Sequence, residues 1–318
     1  MKNSTDPIVV ACAADDFFAM PLAVTACSMV ENLNPDCCID FYVLDGGIKQ
    51  SNKEKIIESL EGKPIEIHWV KPCSDYMERL YFQADSTYPI SAYYRLLLPE
   101  IIPDRYQKVI YLDTDVILLE DIAKLWNLDL GEYYMLAAMD AANQKMDRLT
   151  HLKHLDLDAM GVSREDKYLQ SGVLLIDLNK WRADQISDKL LDFIANHLEL
   201  PYPDMDALNF VLAGKWGELD PRWNQIPVVH SFASWESSPY TQEQLDNTAN
   251  RPFIIHYGSK PKPWDQSCTH PQQSLWYDYL HQTAWSGWEN TLLEQNILLM
   301  RRIGRRLVKS TKKLVATS

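Results

Sequence analysis

The sequence of 318 residues has no uninterrupted apolar run that approaches the roughly 18 residues of a membrane-spanning helix. The first apolar stretch, residues 8–14, is too short for a signal-peptide core and continues directly into Asp15 and Asp16. Only 11 glycines are present, and no repeat or low-complexity tract marks a linker. These absences predict a soluble globular protein with a large core, in one enlarged domain or two.

The six cysteines form neither a CxxC pair nor the dense pattern of a secreted disulfide scaffold. We therefore expect reduced thiols and a cytoplasmic location. The chain carries 44 Asp and Glu against 31 Lys and Arg, which gives a formal net charge of −13. Because this charge opposes association with phosphate backbones, we expect no nucleic-acid partner.

The charge is unevenly distributed, because residues 301–318 contain seven Lys and Arg and no acid. On a helix at about 100° per residue, an apolar stripe faces one side and basic residues face the other, with Leu298 as an exception. The stripe is formed by Leu293, Ile297, Met300, Ile303 and Leu307, and the basic side by Arg301, Arg302, Arg305, Arg306 and Lys309. The pattern predicts that residues 295–318 bind an anionic membrane surface, on the inner face of the membrane. A helix docked on its own core and a solvated basic tail are the alternatives.

Along the first 120 residues, apolar runs alternate with stretches of helical periodicity, which predicts successive βαβ units. The expected fold is α/β, with a Rossmann-like, mostly parallel sheet covered by helices. Predicted strands are 8–14, 39–44, 65–70 and 109–112, and predicted helices are 22–33, 52–60 and 92–98.

The later elements are predicted with less regular spacing. We expect strands at 135–139, 172–178 and 253–255, one continuous helix over 180–197 and another over 206–212. The polar stretch 231–252 is predicted to be an irregular insert on the acceptor side.

Asp113 and Asp115 stand one residue apart at the end of a predicted buried strand. Carboxylate oxygens suit Mg²⁺ or Mn²⁺, and a bound cation offsets the unfavourable burial of two carboxylates among apolar neighbours. Aspartyl phosphatases also place Asp-x-Asp after an apolar strand, with the first Asp as nucleophile. Here three strand–helix units precede the motif, and Ile117 occupies the position of a small residue. The pattern favours a metal site.

Six motifs carry a family resemblance. They occur, in order, at residues 13–18, 93–96, 111–116, 168–176, 204–209 and 256–264. Together they resemble glycosyltransferase family 8, which includes the bacterial lipopolysaccharide galactosyl- and glucosyltransferases and glycogenin. The resemblance implies a GT-A fold over residues 1–270, followed by a C-terminal helical segment over 271–318.

The resemblance also implies retaining transfer of glucose or galactose from a UDP-sugar to a saccharide, lipid-linked or in a lipopolysaccharide core. The metal, Mn²⁺ or Mg²⁺, would be held by Asp113, Asp115 and His256. Its implied role is to neutralise the diphosphate and help UDP to leave. Implied donor-binding residues are Ala13, Asp15, Phe18, Arg95, Asp113, Thr114, Asp115, Gln170, Asp204, Ser259 and Lys262. Structural alternatives are a core position for Phe18 and a helix-surface charge for Arg95.

Around the reacting carbon the resemblance points to Asp204, Met205 and Asp206. Gln170 stands where the family usually has Asn, and Met205 where it has Gln, although the Met205 carbonyl is expected to stay available. Asp204 and Asp206 are candidate nucleophiles, but Asp206 could equally cap a helix, and we favour front-face attack on the donor. The rival functions are a nucleotide-sugar-binding member without catalysis and a transferase that modifies a glycoprotein.

Overall fold

The computed structural model describes residues 6–83, 89–289 and 291. The basic segment 295–318, which the sequence predicts to be a membrane-binding helix, lies outside the described residues. Within the described ranges, no helix has the length and apolar character needed to cross a membrane.

A seven-stranded sheet forms the centre of the described chain, and a two-stranded sheet lies apart from it. The strands in chain order are β1 (Ile8–Ala14), β2 (Ile39–Asp45), β3 (Ile65–Val70), β4 (Lys108–Leu112), β5 (Val116–Leu118), β6 (Met135–Met139), β7 (Leu169–Asp177), β8 (Trp216–Glu218) and β9 (Ile254–His256). The main sheet has the order β3-β2-β1-β4-β7-β6-β8, and β5 pairs with β9. Within the described main sheet only β7 is antiparallel to its neighbours, so the predicted mostly parallel sheet is confirmed.

Helices cover the sheet on both sides. They are α1 (Ala19–Glu31), α2 (Gln50–Ser59), α3 (Ser74–Gln83), α4 (Leu98–Ile101), α5 (Ile122–Trp126), α6 (Leu178–Ala183), α7 (Ile186–Asn196), α8 (Pro203–Val211), α9 (Gln242–Asn250) and α10 (Gln273–Leu280). A 3₁₀ helix, Ile90–Leu97, precedes α4 where the sequence predicts a helix at 92–98.

The side-chain alternation of β1 explains the layered core. Val10 and Cys12 belong to one apolar cluster, which includes Leu22 of α1, whereas Val9 and Ala11 belong to a second cluster. The second cluster contains residues of the helices on the opposite face, namely Trp181, Leu190 and Leu208. Because successive strand residues point to opposite faces, a continuous apolar run requires cover on both sides.

Two predictions about helices are wrong. The helix predicted over 180–197 is two helices, because Gln185 between α6 and α7 has the left-handed backbone conformation, with φ of 53°. The segment 231–252 is not wholly irregular, because it contains α9. Thr241 and Gln244 form a capping box at its start, so part of the polar composition serves to begin a helix.

The first part of the predicted C-terminal segment packs on the α/β fold. Trp276 and Leu280 of α10 are fully buried and share an apolar cluster with Met20 and Val24 of α1. The side chain of Lys55 in α2 lies over the ring of Trp285, with its nitrogen 5.1 Å from the ring centroid. This part of the chain is therefore anchored to the face formed by α1 and α2.

Candidate active site

The candidate site lies where the strand order changes direction. β1 and β4 are parallel neighbours, so Asp15 and Asp113, which follow them, lie at the same edge of the sheet. The chain builds β2 and β3 on one side of β1, and β4 on the other. In open α/β sheets this is the position where ligands bind.

Asp113, Asp115 and His256 form a group whose ligand atoms all lie within 4.8 Å of one another. Nε2 of His256 is 3.6 Å from Oδ2 of Asp113 and 3.4 Å from Oδ1 of Asp115. The pairing of β5 with β9 brings them together, because Val116 lies opposite His256. Two carboxylate oxygens and an imidazole nitrogen fit a divalent cation.

A chain of hydrogen bonds determines which nitrogen of His256 carries the proton. The backbone N–H of Gly172 donates to Oε1 of Gln170 at 2.6 Å, and Nδ2 of Asn224 donates to the same oxygen at 2.6 Å. Oδ1 of Asn224 then lies 2.9 Å from Nδ1 of His256, and an amide oxygen accepts only from a protonated nitrogen. In the neutral ring, the Nε2 lone pair therefore faces the two aspartates, as metal ligation requires.

Gly172 allows the His256 ring to approach the strand closely. A Cβ atom at this position would lie 2.2 Å from Cε1 of His256 and 2.6 Å from its Nδ1. The site therefore excludes any side chain at residue 172.

Lys262 lies beside the group of Asp113, Asp115 and His256, and its ammonium contacts Asp115. It donates to the carboxylate of Asp115 and, at 2.6 Å, to the backbone carbonyl of Tyr257. Burial alone would raise the pKa of Asp115, but the charges and hydrogen bonds of Lys262 and His256 together outweigh burial and hold this pKa below its ordinary value. Asp115 is therefore ionised at neutral pH and available to a cation.

Arg95 is buried and its side chain bridges several parts of the site, so the alternative of a helix-surface charge is wrong. The guanidinium group donates to Oδ1 of Asp113 at 2.7 Å and to the carbonyl of Ser171 at 2.8 Å, and its Nε lies 3.3 Å from Oδ2 of Asp204. Burial raises the pKa of Asp204, although the charge of Arg95 opposes this rise. Arg95 thus fixes the positions of two carboxylates.

The two departures from the family pattern have different surroundings. Oε1 of Gln170 accepts the two hydrogen bonds from Gly172 and Asn224 that are described above. The side chain of Met205 packs against an apolar cluster that includes Tyr168, and its carbonyl, which the sequence left available, accepts a hydrogen bond from Nδ2 of Asn209 at 2.9 Å.

Asp206 lies in the first turn of α8 and is 0% exposed. Its Oδ1 accepts a hydrogen bond from the Tyr168 hydroxyl at 2.6 Å and lies 3.1 Å from Nε2 of His151. Tyr202 is the N-cap residue of α8, so a capping role for Asp206 is wrong. Burial raises the pKa of Asp206, and the hydrogen bonds from Tyr168 and His151 only partly offset this effect.

The predicted nucleotide-binding residues lie around the ends of β1 and β4. Oδ1 of Asp15 accepts the N–H groups of Phe17 and Phe18 at 2.9 and 3.3 Å, which caps the 3₁₀ turn after β1. The Phe18 ring is half-buried and meets Trp264 edge-on, with centroids 6.0 Å apart. Thr114 is buried. Ala13 is half-buried and Ser259 is exposed. The donor contacts of these residues stay predictions.

The contacts of Asn224, His151 and Tyr168 with site residues were not predicted from the sequence. Asn224 is 5% exposed and ends the 3₁₀ turn Pro221–Asn224, where no motif distinguishes it from other loop amides. Gly172 lies inside the motif at residues 168–176. A glycine there was the only signal in the sequence that another group, here the His256 ring, approaches the backbone closely.

Residues 9–268 match the family model of glycosyl transferase family 8. The chain belongs to this family. It is 32% identical to general stress protein A of Bacillus subtilis over 90% of this chain and 97% of that protein. It is 23% identical to the lipopolysaccharide 1,2-glucosyltransferase of Escherichia coli strain K12, over 89% of this chain and 80% of that enzyme.

The fold agrees with the solved structure of a galactosyltransferase. The crystal structure of galactosyltransferase LgtC in complex with donor and acceptor sugar analogues matches with a TM-score of 0.71 and 29% identity. The match covers 87% of this chain and 96% of that one. The GT-A fold and the family predicted from the sequence are thereby confirmed, and membership implies a nucleotide-sugar donor and a saccharide acceptor.

Proposed function

We propose that this family 8 member is a retaining hexosyltransferase that moves glucose or galactose from a UDP-sugar to a saccharide acceptor. The observation that carries the proposal is the group of Asp113, Asp115 and His256, in which Nε2 of His256 lies 3.6 Å and 3.4 Å from oxygens of the two carboxylates. This donor set suits Mn²⁺ or Mg²⁺. When bound, such an ion supplies Lewis-acid stabilisation of the departing diphosphate.

The residues of the chain have distinct parts in this proposal. Asp113, Asp115 and His256 hold the cation, and Arg95 keeps Asp113 in place through a 2.7 Å hydrogen bond. Lys262, whose ammonium group already lies beside Asp115, adds a positive charge where the diphosphate is expected. The cation and Lys262 would therefore stabilise the negative charge that develops on the departing UDP.

Front-face attack on the donor fits the surroundings of the two carboxylates better than a double displacement. A nucleophilic carboxylate must reach the anomeric carbon. Asp206 is 0% exposed, and Asp204 pairs with Arg95 at 3.3 Å. In front-face transfer, neither aspartate forms a bond to the sugar, and the departing phosphate accepts the acceptor proton.

The proposed acceptor is a lipid-linked or lipopolysaccharide-core sugar, which the resemblance to the lipopolysaccharide 1,2-glucosyltransferase supports. We place the enzyme in the cytoplasm, at the inner face of the membrane, with residues 295–318 as the membrane contact. The second candidate is a nucleotide-sugar-binding protein without turnover. The apolar packing of Met205, where the family usually has a polar amide, favours that candidate.

Donor binding and hydrolysis separate the two candidates. The full chain is titrated with UDP, and then incubated with UDP-glucose or UDP-galactose, with Mn²⁺, with Mg²⁺ or with chelator. We expect metal-dependent binding and release of an α-configured sugar product, because retention preserves the donor configuration. Asp115→Asn and His256→Ala should abolish both effects, whereas Asp158→Asn, at an exposed position, serves as the matched control.

UDP binding without turnover of any sugar donor would favour the binding protein. Absence of UDP binding by the wild-type chain, or full activity in chelator, would refute the metal-dependent transferase.

A further inference from the structure

A cavity of about 260 Å³ adjoins the candidate active site. The loop from His256 to Lys262 contributes to both, because Tyr257, Ser259 and Lys260 of this loop line the cavity and His256 belongs to the metal group. Because one short loop contributes His256 to the metal group and Lys260 to the cavity, an occupant of the cavity would lie beside the donor diphosphate. The volume is below the roughly 300–1,000 Å³ of drug-sized ligand pockets, and suits a single sugar unit.

The charge of this cavity differs from that of the molecule. None of the ten described residues that line it is an acid, although the chain as a whole has a formal charge of −13. Besides Lys260, the lining offers the hydroxyl groups of Ser259 and Thr269 and the rings of His230 and His270. The cavity is therefore a site of hydrogen-bond donors and one fixed positive charge.

The two histidines are neutral at physiological pH, which leaves Lys260 as the charged group of the lining. Burial, together with the neighbouring ring of His230, lowers the pKa of His270 to about 4. Burial also lowers the pKa of His230.

The two lysines of the loop have different surroundings. Lys262 donates hydrogen bonds to Asp115 and to the carbonyl of Tyr257. Lys260 is exposed, and no carboxylate within the described ranges lies at ion-pair distance from it. Lys260 is thus a cation directed to the cavity, without a counter-ion from the described part of the protein.

We propose that this cavity binds the acceptor, and that the acceptor sugar carries a negatively charged group, phosphate or carboxylate, which pairs with Lys260. The inference rests on the proposed function, and goes beyond it by naming the charge class of the acceptor. A hydrogen bond between charged partners contributes more than one between neutral groups. An acid-free wall also avoids repulsion of an anionic sugar by the rest of this acidic chain.

Three monosaccharide probes test the proposal: methyl glucoside, glucose 6-phosphate and glucuronic acid. Each is titrated into the full chain at saturating UDP and constant free Mg²⁺, and its affinity is measured by calorimetry or saturation-transfer NMR. We expect at least one charged probe to bind about tenfold more tightly than methyl glucoside, equivalent to about 1.4 kcal/mol. The more strongly bound probe identifies phosphate or carboxylate as the anionic group.

Lys260→Gln should reduce this preference to below about twofold, and Lys260→Arg should retain it because the charge is kept. Lys71→Gln, at another exposed lysine, should leave the preference unchanged. Equal affinity of the wild-type chain for charged and neutral probes would overturn the proposal, and so would a preference that survives Lys260→Gln. Loss of UDP binding in Lys260→Gln would place this ammonium on the donor instead, and would also overturn it.

The proposed function can fail separately. A wild-type chain that binds no UDP refutes the transferase. The same probe titrations without UDP then decide whether the cavity selects anionic sugars.

Discussion

Nδ1 of His256 lies 2.9 Å from Oδ1 of Asn224, and this contact directs the other ring nitrogen to Asp113 and Asp115. Asn224 itself is oriented by Gln170, whose amide oxygen also receives the backbone N–H of Gly172. In the neutral ring, a loop amide thus places the proton on Nδ1 and leaves the lone pair on Nε2, which faces the two aspartates. Removal of a residue that orients a metal ligand in this way typically weakens metal binding 10- to 100-fold.

Asn224→Ala should therefore weaken Mn²⁺ binding by about 10- to 100-fold, because His256 loses the acceptor that fixes its tautomer. Calorimetric titration of Mn²⁺ in the presence of UDP measures the change. Asn196→Ala, on the exposed surface of α7, is the matched control. Unchanged Mn²⁺ affinity in a folded Asn224→Ala variant would contradict this role.

Gly172→Ala should displace the His256 ring and weaken metal binding at least about tenfold, because the added methyl group would lie 2.2 Å from Cε1 of His256. Gly287→Ala provides the comparison, since a Cβ there meets no atom of the described residues within 4 Å. The same Mn²⁺ titration, together with circular dichroism, measures both variants. Wild-type affinity in Gly172→Ala would show that the ring does not need this approach.

Arg95→Gln should lower the free energy of unfolding by about 3–5 kcal/mol, because Asp113 and Asp204 lose their shared cation. Arg95→Lys should recover only part of this loss, since one ammonium cannot reproduce the planar guanidinium contacts. Urea unfolding gives the values. Arg79→Gln removes a more exposed pairing with Asp188, and should lower the free energy by at most about 1 kcal/mol. Similar losses at Arg79 and Arg95 would contradict the positioning role.

Asp206 should make the protein less stable as the pH rises above the ordinary Asp range of about 4. Its pKa is raised in the folded chain by burial, so the native state keeps a proton that the unfolded state has released. The free energy of unfolding then falls with pH, by at most about 1.4 kcal/mol per unit from this group, until its folded pKa is passed.

Urea unfolding of the wild type and of Asp206→Asn, from about pH 4 to about pH 7, tests this dependence. The difference between the two curves should change with pH, whereas Asp158→Asn, at an exposed position, should follow the wild type. Parallel curves for Asp206→Asn and the wild type would count against the raised pKa.

The basic segment should bind anionic vesicles, as its sequence predicts. Replacement of Arg301, Arg302, Arg305, Arg306 and Lys309 by Gln in the full chain should reduce binding to phosphatidylserine vesicles by several kcal/mol, at about 1 kcal/mol per basic residue. Vesicle sedimentation measures this binding. Donor hydrolysis in solution should be unaffected, because every residue assigned to the donor precedes residue 270. Equal vesicle binding by both chains would refute the membrane contact.

The sequence predicted those features that local patterns encode. The bounds of β1, β3 and β6 were predicted correctly, because β1 and β6 are continuous apolar runs and β3 alternates apolar with polar residues as a half-buried strand does. The break at Gln185 was missed, since glutamine carries no signal for a left-handed backbone.

The partners of the site residues depend on tertiary placement. Arg95 lies in an apolar stretch that favours burial, but the sequence does not show that its partners are Asp113 and Ser171. Asn224 contacts His256 through a fold that brings distant loops together. No local spacing encodes such contacts, so the grouping of Asp113, Asp115 and His256 could be predicted and their orienting partners could not.

Asp113 follows a strand of the main sheet, whereas His256 ends a strand of the separate two-stranded sheet. An ion held by both would join the two sheets and close a long loop of the chain, so the free energy of binding would add to that of folding. At a free ion concentration 100 times the dissociation constant, this linkage amounts to about 2.7 kcal/mol. The melting temperature of the protein would then report metal occupancy before any sugar nucleotide is supplied.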